Sequence, residues 1–365
     1  MSEPTTTRPS PTRPWTYFDR WVESGPFTSR DLNRYRTLYA AWGLLSLPAF
    51  HLAGSFPQAA FRPPLGPFRL LSGFPSPLVM WTVEIVLAAA LAALLVNFHT
   101  RVASVVVTLG YLVGFGVRYS LGKIDHDTIL MLLVPLVLAG VWGHRGDDKP
   151  RQWPMRLLAC IVGAGLLTAA RPKYDTGWLD RDSQASMGHF IVNYYQHERD
   201  NLLAGAGLRM TSPAVWEFFD WATVLVEGGV IVAAIRWGWF RLALAGLALF
   251  HLGVWLFLNI DYFSNVVVYA AFVAWGSVHL PALGNAFGRT FGRSLGQVGD
   301  RLRRVPTPAW IPVLVLLAVS HVVRAPGWAT GAGLVAAGTV GGAYIAYRAV
   351  RTVGHLRSLR SVDSG

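Results

Sequence analysis

The segment MRLLACIVGAGLLTAA, residues 155–170, runs directly into RPKYDTGWLD, residues 171–180. The first segment has the composition of a helix that crosses hydrocarbon. The second turns polar at once, and the chain stays polar as far as Ser212. Lys173 therefore stands where hydrocarbon gives way to water, with Pro172 before it and Tyr174 after it. Proline lacks a donor and disfavours helix in the residue before it, so the helix is expected to end before Lys173. An amine beside a low-dielectric surface gives up its proton more readily than one in water, which suits a base. Interfacial lysines also anchor helix ends by snorkelling, and these residues alone leave both roles open.

The rest of the chain fits the same medium. Apolar residues make up 53% and charged residues only 14% of the sequence, with a mean hydropathy of +0.38. That balance belongs to an all-α, polytopic integral membrane protein, and argues against a water-soluble enzyme. The 15 Trp and 12 Tyr suit interfacial belts. A net charge of +12 could point to nucleic acid, but the basic residues fall in the short connections between apolar runs. The positive-inside rule accounts for that placement without a nucleic-acid partner. Cys160 is the one cysteine, so neither an internal disulfide nor a thiolate metal cluster can form.

Taken in order, residues 1–31 read as a disordered and interfacial cytoplasmic N-terminus without the apolar core of a signal peptide. About ten spans follow, expected at Tyr35–Leu52, Leu78–Phe98, Val102–Tyr119, Thr128–Trp142, Met155–Ala170, Pro213–Ile235, Phe240–Leu258, Phe263–Leu280, Ala309–Val323 and Trp328–Tyr347. Between spans five and six, Gln184–Leu203 reads as a re-entrant or surface helix. The first eight spans fall within residues 32–280. A basic cytoplasmic connection (281–306), two further helices (307–347) and a basic cytoplasmic tail (348–365) complete the chain.

With both termini on one side, 22 of the 32 Lys and Arg fall on that side. This bias places the protein in the cell membrane as a multi-pass chain with both ends cytoplasmic. Three polar clusters then share the extracytoplasmic face: Asp125-His126-Asp127, Lys173 with Asp175 and Asp180, and Asn259 to Asn265. Asp and Asn cap helix starts, which alone could explain the first and third clusters. A histidine between acids is also a proton relay, whereas adjacent residues on a helix diverge too far to chelate a metal. Glu84, Glu227, His251 and Asp220 lie at membrane depth, where an ionisable group either glues helices together or marks a site. P-loop, GxGxxG, GxSxG and HExxH motifs are lacking.

The order of these motifs resembles a known family. Arg36 opens span one and Thr100-Arg101 precedes span three. Ser120…Lys123-Ile124-Asp125-His126 enters span four. Lys173-Tyr174-Asp175-Thr176-Gly177-Trp178-Leu179 follows, then His251…Asn259…Tyr262-Phe263. Together they resemble the HTTM (horizontally transferred transmembrane) domain family, in particular the membrane domain of vitamin K-dependent γ-glutamyl carboxylases. The likeness runs from about Leu32 to about Leu280. It implies that Lys173 deprotonates a reduced quinone of the vitamin K hydroquinone type. Oxygen and carbon dioxide would be co-substrates, no metal would be needed, and a glutamate of a peptide or protein with acidic residues would accept the carboxyl group. It implies a carboxylation role for His126, with Asp125, Asp175, Trp178, Glu227, His251, Asn259, Tyr262, Asn265 and Arg36 in support. The departures are concrete: Pro172 replaces a basic residue, Tyr174 replaces a leucine, and no large extramembrane C-terminal portion for docking protein substrates follows the spans.

Two readings result. One is a quinol-dependent membrane oxygenase or carboxylase with Lys173 as base and His126 assisting. The alternative is a non-catalytic HTTM protein that binds a lipid, a quinone or a partner protein, as a toxin-maturation component would. A transporter would call for an inverted repeat, and none is visible.

Overall fold

Thr28 starts the first long helix. Its hydroxyl accepts from Asp31 N–H at 3.2 Å while the Asp31 carboxylate accepts from Thr28 N–H at 2.9 Å, a complete capping box. In the computed structural model this cap sets helix α2 at Ser29–Leu45, after a short α1 at Pro14–Val22. The span expected at Tyr35–Leu52 is thus shifted towards the N-terminus. Pro48 stops it, and the predicted final turn becomes a separate 3-10 turn at Phe50–Ser55. The structure describes residues 14–64, 66–122, 126–143, 149–275 and 327–362, all helix or irregular, with no strand among them.

The helices that follow are α3 Pro77–Leu95, α4 Thr100–Tyr119, α5 His126–Leu138 and α6 Trp153–Asp175. Next come α7 Ala185–Ile191, α8 Ala204–Gly207, α9 Pro213–Ala233, α10 Trp237–Leu258, α11 Phe263–Tyr269 and α12 Gly327–Val362. Four of them, α3, α4, α6 and α10, are long and apolar enough to cross a membrane. The described α5 and α11 are apolar but shorter. Helix α9 is as long as the four, but Glu217, Asp220 and Glu227 interrupt its apolar character. Large side chains point outward along the apolar helices, among them Leu78 at 77% exposure and Val102 at 64%. In water that surface would be costly; against lipid it is the expected exterior, compatible with a multi-pass protein.

Several expectations are corrected. The single helix expected over Gln184–Leu203 is broken: α7 passes into a π turn at Val192–Gln196, and Glu198 takes a left-handed backbone at φ 50°. The chain then ties itself to α10, with Leu203 N–H donating to Leu256 O at 3.0 Å. The last helix, α12, continues past the expected span end at Tyr347 as far as Val362. The expectations on residues 1–13, Lys123, Asp125, residues 276–326 and the side chains of His126 and Asp127 lie outside what is described.

Several helix pairs pack through small residues. A Cβ on Gly163 of α6 would stand 2.7 Å from the Ile231 Cα of α9, and one on Gly165 would stand 2.7 Å from Leu130 Cδ2 of α5. Such contacts let backbones approach closely where no hydrophobic gain separates helix from lipid. One end of the bundle is closed by arginines. Arg156 Nη1 donates to Ala234 O at 2.7 Å, its guanidinium lies 3.9 Å from the Trp237 ring and 4.5 Å from that of Trp21, and Arg36 donates to Leu94 O. The opposite end, where α6 finishes, carries most of the polar chemistry.

Candidate functional site

Helix α6 does not end before Lys173 but runs through Pro172 to Asp175. Pro172 gives up the bond its nitrogen cannot donate and its ring crowds the carbonyl four residues back, a local cost that α6 carries in its last turns. The following turn is intact, with Thr176 N–H on Pro172 O at 2.9 Å. Lys173 is therefore fixed on a helical face and turned toward α9, where its Nζ donates to Glu227 Oε2. The lysine side chain is 22% exposed and the glutamate 8%, so the pair is nearly buried. Gly177, at φ 79°, reverses the chain just beyond, in a backbone region other residues avoid. Trp178 N–H then returns to Lys173 O at 3.1 Å, and its indole lies 5.5 Å from the ammonium nitrogen. An ammonium held over an indole gains a cation–π attraction that grows as water is excluded.

Two further groups complete this cluster. His189 of α7 packs its ring 5.1 Å from that of Trp178. Burial pushes the His189 pKa below its ordinary value; the charge of Lys173 lowers it further, and Asp220 opposes both. Asp220 is fully buried and accepts from Ser186 N–H at 2.7 Å through Oδ1, while Oδ2 has no donor among the described residues. Asp220, Thr223 and Glu227 form one buried face of α9, at helical spacing that the sequence displays. His189 carried no such signal, because its helix is too short for periodicity to register.

A second cluster lies on α10 and α11. His251, 3% exposed, meets the Tyr269 hydroxyl at 3.1 Å through Nε2, and its ring stands 4.9 Å from that of Tyr262. Asn265 is buried beside them, with an Oδ1 that meets no donor among the described residues.

Other expected site residues stand apart. Asp175 turns away from Lys173 and pairs with Arg171 at 2.7 Å on the exposed side of α6, because residues four apart share a helix face. Asn259 is a structural cap: it ends α10 in a left-handed conformation and donates to Asp200 O at 3.0 Å. Arg36 lies at the opposite end on the last carbonyls of α3, where a cation complements the helix terminus. His126 is the first residue of α5, and Asp125 lies outside the described residues. Gly165 and Leu130 are neighbours, so a rise of 1.5 Å per residue puts His126 about 6 Å and Lys173 about 12 Å beyond that crossing, towards one end.

Among the described residues no three His, Cys, Asp or Glu side chains come together as metal ligands. Comparison with protein-family models, curated proteins and solved structures found no match to this chain. The chemistry of the site therefore rests on its own residues.

Proposed function

We propose that this chain is an integral membrane protein of the HTTM, carboxylase-like kind, in which Lys173 and Glu227 manage the proton of a quinol hydroxyl. The observation that carries the reading is the nearly buried Lys173–Glu227 pair beneath the Trp178 indole. An amine that must accept a proton repeatedly needs somewhere to return it, and Glu227 supplies that acceptor in direct contact. The residues present fit a reduced quinone: an amine and a carboxylate for its hydroxyl, and the Trp178 and His189 rings for its aromatic face. When bound, such a quinol would supply an acidic hydroxyl and, with oxygen, the strong base that carboxylation requires. Lys173 would hold and orient the hydroxyl, Glu227 would take the proton the amine carries, and the surrounding apolar helices would exclude water.

The same proposal includes about ten spans, both termini in the cytoplasm and the Lys173 end facing outward. It is supported by the distribution of Lys and Arg along the sequence and by the arginine-closed end formed by Arg36 and Arg156. A re-entrant role for the Gln184–Leu203 region belongs to it as well, with α7 covering the lysine through His189.

One observation favours a second reading. The Lys173–Glu227 contact spans the tight packing of α6 on α9, so the pair also suits interhelical glue in a protein that binds a lipid, quinone or partner without turnover. The full chain in lipid nanodiscs, given vitamin K hydroquinone, oxygen, labelled bicarbonate and a glutamate-rich peptide, separates the two. Quinol consumption that is abolished in Lys173→Ala, with helix content unchanged, supports the catalytic reading. Consumption no faster than empty nanodiscs, or undiminished in the variant, overturns it.

A further inference from the structure

A cavity of about 440 Å³ opens at the Lys173 end of the bundle, yet Lys173 and Glu227 do not line it. Its walls are the close of α2, the turn that follows and the start of α12, with Trp42, Leu47, Phe50 and Phe56 as the main apolar surfaces. Leu45 and Leu52 on its border are 52% and 49% exposed, so the rim is greasy. Among the described residues the lining holds no acid and one cation, Arg118, in the last turn of α4. Arg118 is exposed, and its guanidinium makes no ion pair among the described residues, whereas Arg36 and Arg156 at the far end are buried on backbone carbonyls. On the same wall the Trp42 indole N–H is buried and meets no acceptor among the described residues. A buried donor without a partner is costly, and a guanidinium beside an apolar hollow favours an oxyanion.

We propose that this cavity binds a single-chain anionic amphiphile, a long-chain carboxylate whose head meets Arg118 and whose tail lies along Phe50 and Phe56. The volume suits one such molecule, within the range of ordinary ligand pockets. Entry is lateral, past Leu45 and Leu52. The site is independent of the Lys173 chemistry and stands if that reading falls.

The test uses the full chain in phosphatidylcholine nanodiscs, with retention of radiolabelled oleate measured on captured protein. Saturable retention near one per chain is expected. Oleyl alcohol, which has the tail without the charge, should compete at least tenfold more weakly, and phosphatidylglycerol should compete poorly. Arg118→Gln should weaken binding at least tenfold, while Arg118→Lys retains most of it. Ala49→Phe, on the cavity wall, should block the tail without touching the charge. Equal binding of oleate by parent and Arg118→Gln, equal competition by the alcohol, or no saturable retention overturns the proposal. Stronger competition by phosphatidylglycerol than by oleate overturns the single-chain assignment.

Discussion

Lys173 Nζ and Glu227 Oε2 meet across the α6–α9 interface, 54 residues apart in sequence, with only 22% and 8% of the two side chains exposed. Removing one partner of so sheltered a pair leaves the other charged and unmet, which costs more than the pair contributes when whole. Glu227→Ala should therefore destabilise the protein by about 3 kcal/mol. The double variant Lys173→Met, Glu227→Leu should lie within about 1 kcal/mol of the parent, since apolar groups of similar size replace buried pairs at little cost. Denaturant unfolding in detergent measures both. A double variant as unstable as Glu227→Ala would show that the charges are needed for folding.

His189 makes stability depend on pH in one direction. Its folded pKa lies below its unfolded value, mainly through burial and then through Lys173. The unfolded chain thus takes up the proton first as pH falls. The folded state should lose stability as pH drops below about 6.5, the unfolded histidine value, until the folded pKa is passed. Above that window the penalty is absent. His189→Gln should flatten this part of the melting temperature profile between pH 7.5 and 5; an unchanged profile would assign the dependence elsewhere.

The close approach of α6 and α9 depends on a missing side chain. A Cβ on Gly163 would come within 2.7 Å of the Ile231 Cα, and backbone cannot yield as a flexible side chain can. Gly163→Ala should cost about 1–3 kcal/mol by forcing the helices apart. The shift should also loosen the Lys173–Glu227 contact. A thermal shift in detergent should show the loss, and an unchanged melting temperature would mean the interface has room to spare.

Asp220 offers a contrast between charge and hydrogen bonding. Oδ1 holds Ser186 N–H at 2.7 Å, whereas Oδ2 meets nothing among the described residues. Asp220→Asn keeps the acceptor and should stay within about 1 kcal/mol of the parent, while Asp220→Ala orphans the amide and should cost about 1–3 kcal/mol. Matched unfolding curves for the two variants would mean that this bond contributes little.

Much of the helical frame was legible because long apolar runs leave few alternatives. Helices α3, α4 and α10 begin and end within a few residues of the spans expected from the sequence. What misled was local chemistry. Thr28 and Asp31 form a capping box among charges that resemble a surface segment, and α6 carries Pro172 within its last turns instead of ending before it. The candidate site was legible in part: Glu227 and Lys173 stand out as ionisable groups at or near membrane depth, but their partnership is a tertiary fact that no spacing encodes. Asp175 was drawn to Lys173 by adjacency in sequence, yet side chains two apart on a helix point different ways. His189 had no pattern to announce it.

Arg156 tests how the arginine end is held together. It is 3% exposed, lies between the Trp21 and Trp237 rings, and reaches Ala234 O at 2.7 Å and the Ser24 hydroxyl at 3.1 Å. A planar guanidinium can stack on both indoles while its separate nitrogens serve separate acceptors, whereas a lysine ammonium is a single point. Arg156→Lys should thus keep the charge but lose the bridge between α1, α6 and α9, at a cost of about 1–2 kcal/mol per unmet buried acceptor. Arg156→Leu should lose more, since the Ala234 carbonyl would face a hydrocarbon chain. The ordering parent, then lysine, then leucine in denaturant midpoint is the expected result. If lysine matched the parent, a point charge would serve this end as well as the planar, multiply donating guanidinium does.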